Sequence, residues 1–404
     1  MEQPARRGAG RQRQPGLSAP GNGRQELAPS APLDSEHAHF GHSLASATPT
    51  LWVTHAIVAA NVIVFLAMLG DGAGWIESNS TVHLRWGANF GPLTKEDQWW
   101  RLLACTFLHF GVVHVAMNLW ALWGAGRLAE RLYGNATFAA IYLFAGLTGS
   151  FGSLLWNADN VVSVGASGAV FGVYGALAAY VLRQPGSVPA SVLKSLKAST
   201  IAFIAYAVVL GAVVSAIDNA AHVGGLLGGF GLAWLLARPL SPRPPMSLGK
   251  AGVAVIAVVI AVASLYAAVP PPAYSYSAQQ AAALAIQQFT ADEDTLAAKA
   301  AALVEERKAG SITDRQLGEA IESQLLPGWD KAHARFAAID LESKAPAFEK
   351  LGALKELVAV RREMFSEYAA GLKTGNAARI RRAEALSATS QRLSKALREQ
   401  SAKP

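Results

Sequence analysis

The sequence predicts an all-α polytopic membrane protein that carries a C-terminal extramembrane helical bundle. Three observations lead there. Hydrophobic residues make up 52% of the 404 and charged ones only 16%, where soluble domains carry about a quarter. The charge is also segregated: of 63 charged residues, 36 follow Val269, and nine of the other 27 lie in the first fifty positions. Between those two regions run apolar segments near the roughly 20 residues that span a bilayer. A uniform soluble domain, a disordered chain and a nucleic-acid binder are thereby excluded. The net charge of +7 needs no polyanionic partner, since basic loops kept on the cytoplasmic side produce the same sum.

Residues 1–50 are rich in Arg, Gly, Pro, Gln and Ser without apolar periodicity, and are expected to form a disordered cytoplasmic arm. They lack the basic-then-apolar leader of a signal peptide, so no cleaved leader is expected. His37, His39 and His42 come without a carboxylate or Cys cluster and are read as solvated rather than metal-binding. Seven spans follow near 51–69, 102–123, 136–156, 164–182, 199–216, 220–237 and 252–269. Several rely on Gly, Ala and Ser, the residues of closely packed helix interfaces. The single cysteine, Cys105, lies in an apolar stretch and reads as packing.

Orientation comes from the basic residues. Arg6, Arg7, Arg11, Arg13 and Arg24 precede the first span, and Arg127 and Arg131 follow the second. Arg183, Lys194 and Lys197 follow the fourth, and Arg238, Arg243 and Lys250 the sixth. Every second loop is basic, which puts the N-terminus inside and the C-terminus outside. The first outer loop, 70–100, holds Trp75, Trp86, Trp99 and Trp100, residues that favour the headgroup region. Beyond about Ser275, apolar residues recur at three and four, with breaks at Gly310, Pro327-Gly328 and Gly375, the signature of a helical bundle.

Polar side chains within a bilayer are costly and therefore functional candidates. Four stand out: His114, Asn118, Ser167 and His222. The first two, four apart, share one face of the second span. Ser167 in Gly165-Ala166-Ser167-Gly168 and His222 in Ala221-His222-Val223-Gly224-Gly225 each lie about one turn into spans that both run from outside to inside. They are therefore at similar depth. Gly168 and Gly172 on one span and Gly225 and Gly229 on the other permit the close approach that would pair hydroxyl with imidazole. A Ser activated by a His is the minimal unit of nucleophilic acyl transfer. Taken singly, each residue has a blander reading: a Ser bonded to its own backbone, a His filling a polar core. Matched depth, parallel direction and paired glycines favour the dyad. Asp218, in a short outer loop one turn before His222, reads as a solvated charge or helix cap. His55 reads as an interfacial side chain.

At these residues the chain resembles the rhomboid family of intramembrane serine proteases. The matching pieces are Trp100-Arg101, His109 with His114 and Asn118, Gly165-Ala166-Ser167-Gly168, and Ala221-His222 followed by Gly225 and Gly229. They fall in family order across roughly 51–237. The resemblance implies a rhomboid-like six-helix core over 51–237, a linker and seventh transmembrane helix over 238–269, and a Ser–His dyad with no third acid, metal or cofactor. It implies Ser167 as nucleophile, His222 as general base and acid, and His114 with Asn118 as the oxyanion-binding pair. Gly165, Phe171, Gly225, Gly229 and Arg101 would be structural near the site, Arg101 fixing the first loop, with Glu130 and Arg131 fixing the inner turn. Phe171 stands where some members have Tyr; either ring packs against the His. Residues 270–404 lie outside the resemblance and are expected to form an extracytoplasmic helical domain that binds an unknown protein and stands off the bilayer on the Pro270-Pro271-Pro272-Ala273 linker.

The expected activity is cleavage of single-span membrane proteins at the outer face, with the bilayer as the other partner and no nucleic acid. The expected membrane is a bacterial inner (plasma) membrane. Two rivals make the chain a non-catalytic client-binding protein or an adaptor anchored by its core. A transporter reading would require mid-membrane carboxylates and internal repeats, and the sequence has neither.

Overall fold

A computed structural model describes residues 33–401 except 77–78, 158, 214–216 and 241–245. The chain is predominantly helical. It opens with α1 (Leu33–Ala47) and α2 (Trp52–Gly70). Then come α3 (Ser80–Trp86), β1 (Asn89–Phe90), α4 (Gly91–Lys95) and α5 (Arg101–Ala104) in the long loop that follows α2. The core continues with α6 (Gly111–Tyr133), α7 (Asn135–Trp156), β2 (Val162–Ser163), α8 (Ser167–Arg183), α9 (Ala190–Val213) and α10 (Asn219–Leu236), followed by α11 (Leu248–Ala268). The remainder is α12 (Tyr276–Lys308), α13 (Asp314–Ala320), α14 (Leu326–Ala337), α15 (Phe348–Thr374) and α16 (Ala377–Ser401).

Among the described residues, α2, α7, α10 and α11 are long and apolar enough to cross a membrane. Arg101–Phe107 and α6 would count as a fifth span if taken together, but they meet at a 93° bend. The expected second span at 102–123 is therefore two pieces, and α6 runs on to Tyr133. The bend has a local cause. Leu108 is extended, and Gly111 adopts φ +84 where a Cβ would press on the Trp75 carbonyl at 2.9 Å. The apolar α8 is only 17 residues long and starts at Ser167, because 162–163 is spent on strand pairing. α9 begins at Ala190, earlier than expected, with Lys194 and Lys197 inside it.

The expectation of disorder through residue 50 is corrected over Leu33–Ala47, which is helical; 1–32 lie outside the described residues. Phe40, Leu44 and Thr48, spaced by four, face inward. The first two join the main apolar cluster, and Thr48 exchanges hydrogen bonds with Arg131: its hydroxyl donates to the Arg131 carbonyl and its own carbonyl accepts from Arg131 Nη1. Three residues, one turn apart, thus suffice to dock a segment whose average composition looked unfoldable.

α8 lies at the centre of the core, with Ala169, Val173, Ala176, Ala179 and Tyr180 fully buried. α7 and α10 pack against it backbone to backbone. A Cβ on Gly225 would collide with the Gly168 carbonyl oxygen, and one on Gly229 with that of Gly172. The glycines read from the sequence as an approach surface are that surface. Glu130, fully buried in α6, accepts from the Val53 and Thr54 amides at 2.8 Å and from the Thr54 hydroxyl at 2.6 Å, so it caps the start of α2. α11 is peripheral: only 6% of its most apolar window is buried.

α12–α16 pack around a second apolar cluster that includes Phe289, Leu325, Trp329, Phe336 and Val358. Gly310 and Gly375 end helices in the left-handed region, whereas Pro327 causes no break: a π-helical turn, Ile321–Leu325, leads without interruption from α13 into α14 and accommodates the missing N–H. The Pro-rich linker does not stand away from the core. The Ala273 amide donates to Asp159 Oδ2 at 2.6 Å, the Tyr276 amide donates to Glu96 Oε1 at 2.7 Å, and the Tyr276 ring packs edge-on against Phe90.

Candidate active site

Ser167 is the first residue of α8, rather than one turn in, and His222 is the fourth of α10. Their Oγ and Nε2 atoms lie 2.9 Å apart. The glycine contacts between α8 and α10 set that distance, since any side chain at Gly225 would push the two helices apart. Phe171, one turn beyond Ser167, stacks on the imidazole with ring centroids 4.1 Å apart and planes within 10°. The ring is thus held by packing. His222 Nδ1 is buried with no hydrogen-bond partner among the described residues. Asp218 is not that partner: its Oδ1 accepts from the Ala221 amide and from Asn157, making it the cap of α10.

His114 lies across Gly165 from the serine. A Cβ on Gly165 would sit 2.9 Å from His114 Nε2 and 3.7 Å from Ser167 Oγ, and the residue's φ of +130 is one that side-chain-bearing residues avoid. Glycine is required there on both counts. The Phe110 amide donates to His114 Nδ1 at 3.3 Å, which leaves the proton on Nε2, the nitrogen facing the serine. Asn118, one turn along α6 and buried, donates from Nδ2 to the His114 carbonyl at 3.0 Å and keeps a second N–H. At the N-terminus of α8, the Ser167 amide has no intrahelical acceptor. Of these donors, His114 Nε2 is the one the Gly165 contacts bring beside the serine.

The loop before Ser167 is held from several directions. β2 pairs antiparallel with β1, Asn89 opposite Ser163 and Phe90 opposite Val162. The Gly165 amide donates to the Cys105 carbonyl at 2.9 Å, and the Ala166 amide donates to His109 Nε2 at 3.4 Å. Behind His109 stands His83, fully buried, with Nε2 3.0 Å from the His109 carbonyl and Nδ1 2.8 Å from that of Asn79. His83 had not been singled out; a lone histidine in a polar loop carries no signal of burial. Arg101 donates to the Leu84 and Ala88 carbonyls at 2.7 and 3.1 Å and to Gln98, lacing the loop between α2 and α6 together. Of that loop's tryptophans, Trp75 and Trp100 are exposed, while Trp86 donates to Asp71 and Trp99 packs on Phe151 and Tyr266. Cys105 is buried against the Ser150 hydroxyl.

Comparisons with known proteins bear on the family of the chain. The Rhomboid domain profile matches residues 96–239, a span that holds Arg101, His109, His114, Asn118, Gly165, Ser167, Phe171 and His222 but not His83 or β1. The rhomboid protease GluP of Bacillus subtilis (strain 168) is 34% identical over 274 residues, covering 66% of this chain and 51% of that protein. RHOMBOID-like protein 2 of Arabidopsis thaliana is 32% identical over 221 residues, 47% of this chain and 68% of the relative. The putative rhomboid protease YdcA of Bacillus subtilis (strain 168) is 34% identical over 157 residues, 39% of this chain and 76% of the relative. The chain spans about half the length of several of the curated relatives it matches. With helices packed through glycine, a Ser and a His paired across them, and relatives matched over two thirds or more of their own length, the chain belongs to the rhomboid family.

Proposed function

We propose that this chain is an intramembrane serine endopeptidase that cleaves single-span membrane proteins near the outer face of the bilayer. The observation that carries the reading is the 2.9 Å contact between Ser167 Oγ and His222 Nε2 inside an apolar helical core. His222 Nε2 takes the hydroxyl proton as Oγ bonds to the scissile carbonyl carbon, and the carbonyl oxygen becomes an oxyanion. The Ser167 amide, His114 Nε2–H and the free Asn118 N–H are the donors available to it. Collapse breaks the C–N bond; the amine leaves with the proton from His222, and an acyl ester remains on Ser167. Water then gives a proton to His222 and attacks the ester. The second collapse returns that proton to Ser167 Oγ and frees the carboxylate.

In this reading α2, α6, α7, α8, α9 and α10 form the six-helix core and α11 is a seventh span. The N-terminus is cytoplasmic, and residues 270–404 form a domain outside a bacterial inner membrane. The substrate must unwind to expose its carbonyl, so small or helix-breaking residues are expected at the cut. The test is incubation of purified protein in proteoliposomes with a fluorescent single-span substrate. Wild type should cut it, while Ser167→Ala, His222→Ala and the double variant should be equally inactive, because the pair acts as a unit. Cleavage by a folded Ser167→Ala variant at the wild-type rate would rule the mechanism out. Absence of cleavage by wild type, together with retained substrate binding, would favour the non-catalytic client-binding reading.

A further inference from the structure

Asp159 lies in the outer loop between α7 and α8, eight residues before Ser167, and joins three separate parts of the chain. Its Oδ1 pairs with Lys95 Nζ at 2.8 Å, and both side chains are nearly buried, 10% and 5% exposed. Its Oδ2 accepts from the Ala273 amide at 2.6 Å. The same carboxylate lies directly against Gly91, where a Cβ would collide with Oδ1. The partners therefore come from the first outer loop and from the linker that leaves α11. Three residues after Asp159 the chain enters β2, which pairs with β1 next to Gly91, and then reaches Gly165 and Ser167.

Further contacts fall in the same zone. Glu96, the neighbour of Lys95, accepts from the Tyr276 amide; Tyr276 packs on Phe90 of β1; Trp99 packs on Tyr266 of α11 with centroids 4.7 Å apart. α11 packs on the core along one side, through Ala254, Val258, Val262, Leu265 and its C-cap Val269, and these contacts add to that packing at its C-terminal end. A buried carboxylate with a cation on one oxygen and a backbone amide on the other is a rigid junction, because either partner lost leaves an uncompensated charge or donor.

We propose that Asp159 is a positioning residue, through which the α11 linker and the first outer loop together hold the segment that delivers Ser167 to His222. The carboxylate acts through that segment and touches neither substrate nor dyad. The seventh helix is thereby coupled to the active site, although every residue assigned to the chemistry lies before it. The effect on turnover rests on the protease reading; the effect on the loop does not.

The test uses the full chain in proteoliposomes and four variants. Asp159→Asn removes the charge that pairs with Lys95. Asp159→Asn/Lys95→Met removes the pair without stranding a buried cation. Ala273→Pro deletes the linker's N–H donor and fixes φ there, in a run that is already Pro-Pro-Pro. Ala273→Gly keeps that donor and is the conservative control. The first three should lower kcat about 10-fold with KM unchanged, as for a displaced nucleophile. Ala273→Gly should match wild type. Hydrogen exchange should quicken over 159–166 in those three variants and stay unchanged in α7, α8 and α10. Wild-type kcat in Asp159→Asn and in Ala273→Pro, or faster exchange spread evenly over the helical core, would overturn the proposal. If wild type cuts nothing, the protease reading fails, and the exchange data still decide: unchanged exchange over 159–166 overturns the positioning role.

Discussion

His114 and Asn118 differ in what holds them. His114 has Nδ1 occupied by the Phe110 amide, so its Nε2–H is pre-aimed past Gly165 at Ser167. Asn118 spends one N–H on the His114 carbonyl, so its remaining donor is free but its amide plane is fixed. If both serve the oxyanion, each change to Ala should lower kcat by roughly 10- to 1000-fold with little change in KM. His114 should be the more damaging, since its loss also frees the Phe110 amide at the bend before α6. Steady-state kinetics on a fluorescent single-span substrate checks this, and an effect confined to KM would reassign both residues to substrate placement. At this scale the sequence was informative about identity and poor about support. Ser167, His222, His114 and Asn118 were legible because polar groups in apolar spans are conspicuous. His83 was not, because its burial depends on a loop folding back onto His109.

Between elements, contact is set by what is missing. The approach of α10 to α8 rests on Gly225 and Gly229 facing the Gly168 and Gly172 carbonyls, with α7 contributing Gly149 and Gly152 against Ala221 and Ala220. Without a hydrophobic drive between helices in lipid, such close packing is the main source of association. Gly225→Val should therefore do two things at once. It should destabilise the core by at least about 1–3 kcal/mol as overpacking, and it should lengthen the Ser167–His222 contact and abolish activity. Gly231→Val, on the same helix where a Cβ would meet nothing, is the control and should leave both unchanged. Thermal denaturation in detergent with parallel activity assays reads the difference; equal effects at the two positions would show that helix propensity, not close approach, is what glycine supplies. The glycine spacing was readable as a face, but the bend at Leu108–Gly111 and the late start of α8 were not. Both depend on loop backbone and strand pairing that hydropathy cannot register.

For the whole molecule, the distribution of Lys and Arg and the packed structure bear on different questions. Alternate basic loops predict that reporters fused after Arg127 and Lys194 score inside, and that fusions after Asp159 or after residue 280 score outside. The fusion after residue 280 is the decisive one. A reporter found inside would remove α11 from the set of spans and would also break the contacts that place Ala273 and Tyr276 on outer-loop residues Asp159 and Glu96. Those contacts also change how 270–404 relates to the core. Its expected separation by a stiff Pro spacer gives way to a linker laid along the first outer loop, and its α12–α16 cluster begins directly from that docked segment.

The letters alone carry whatever follows from side-chain chemistry and one-dimensional order. That covers the membrane class, the glycine faces, the four polar candidates and the family they point to. Transfer energies and helix periodicity act residue by residue, so a string of letters carries them. Only the tertiary structure decided that Ser167 begins its helix and that Leu33–Ala47 docks instead of remaining loose. It also decided that Glu130 caps α2, and that Asp159 ties Lys95 to Ala273 across 64 and 114 positions of chain. Each of these is a pairing between groups distant in sequence, whose free energy exists only once both partners are desolvated together.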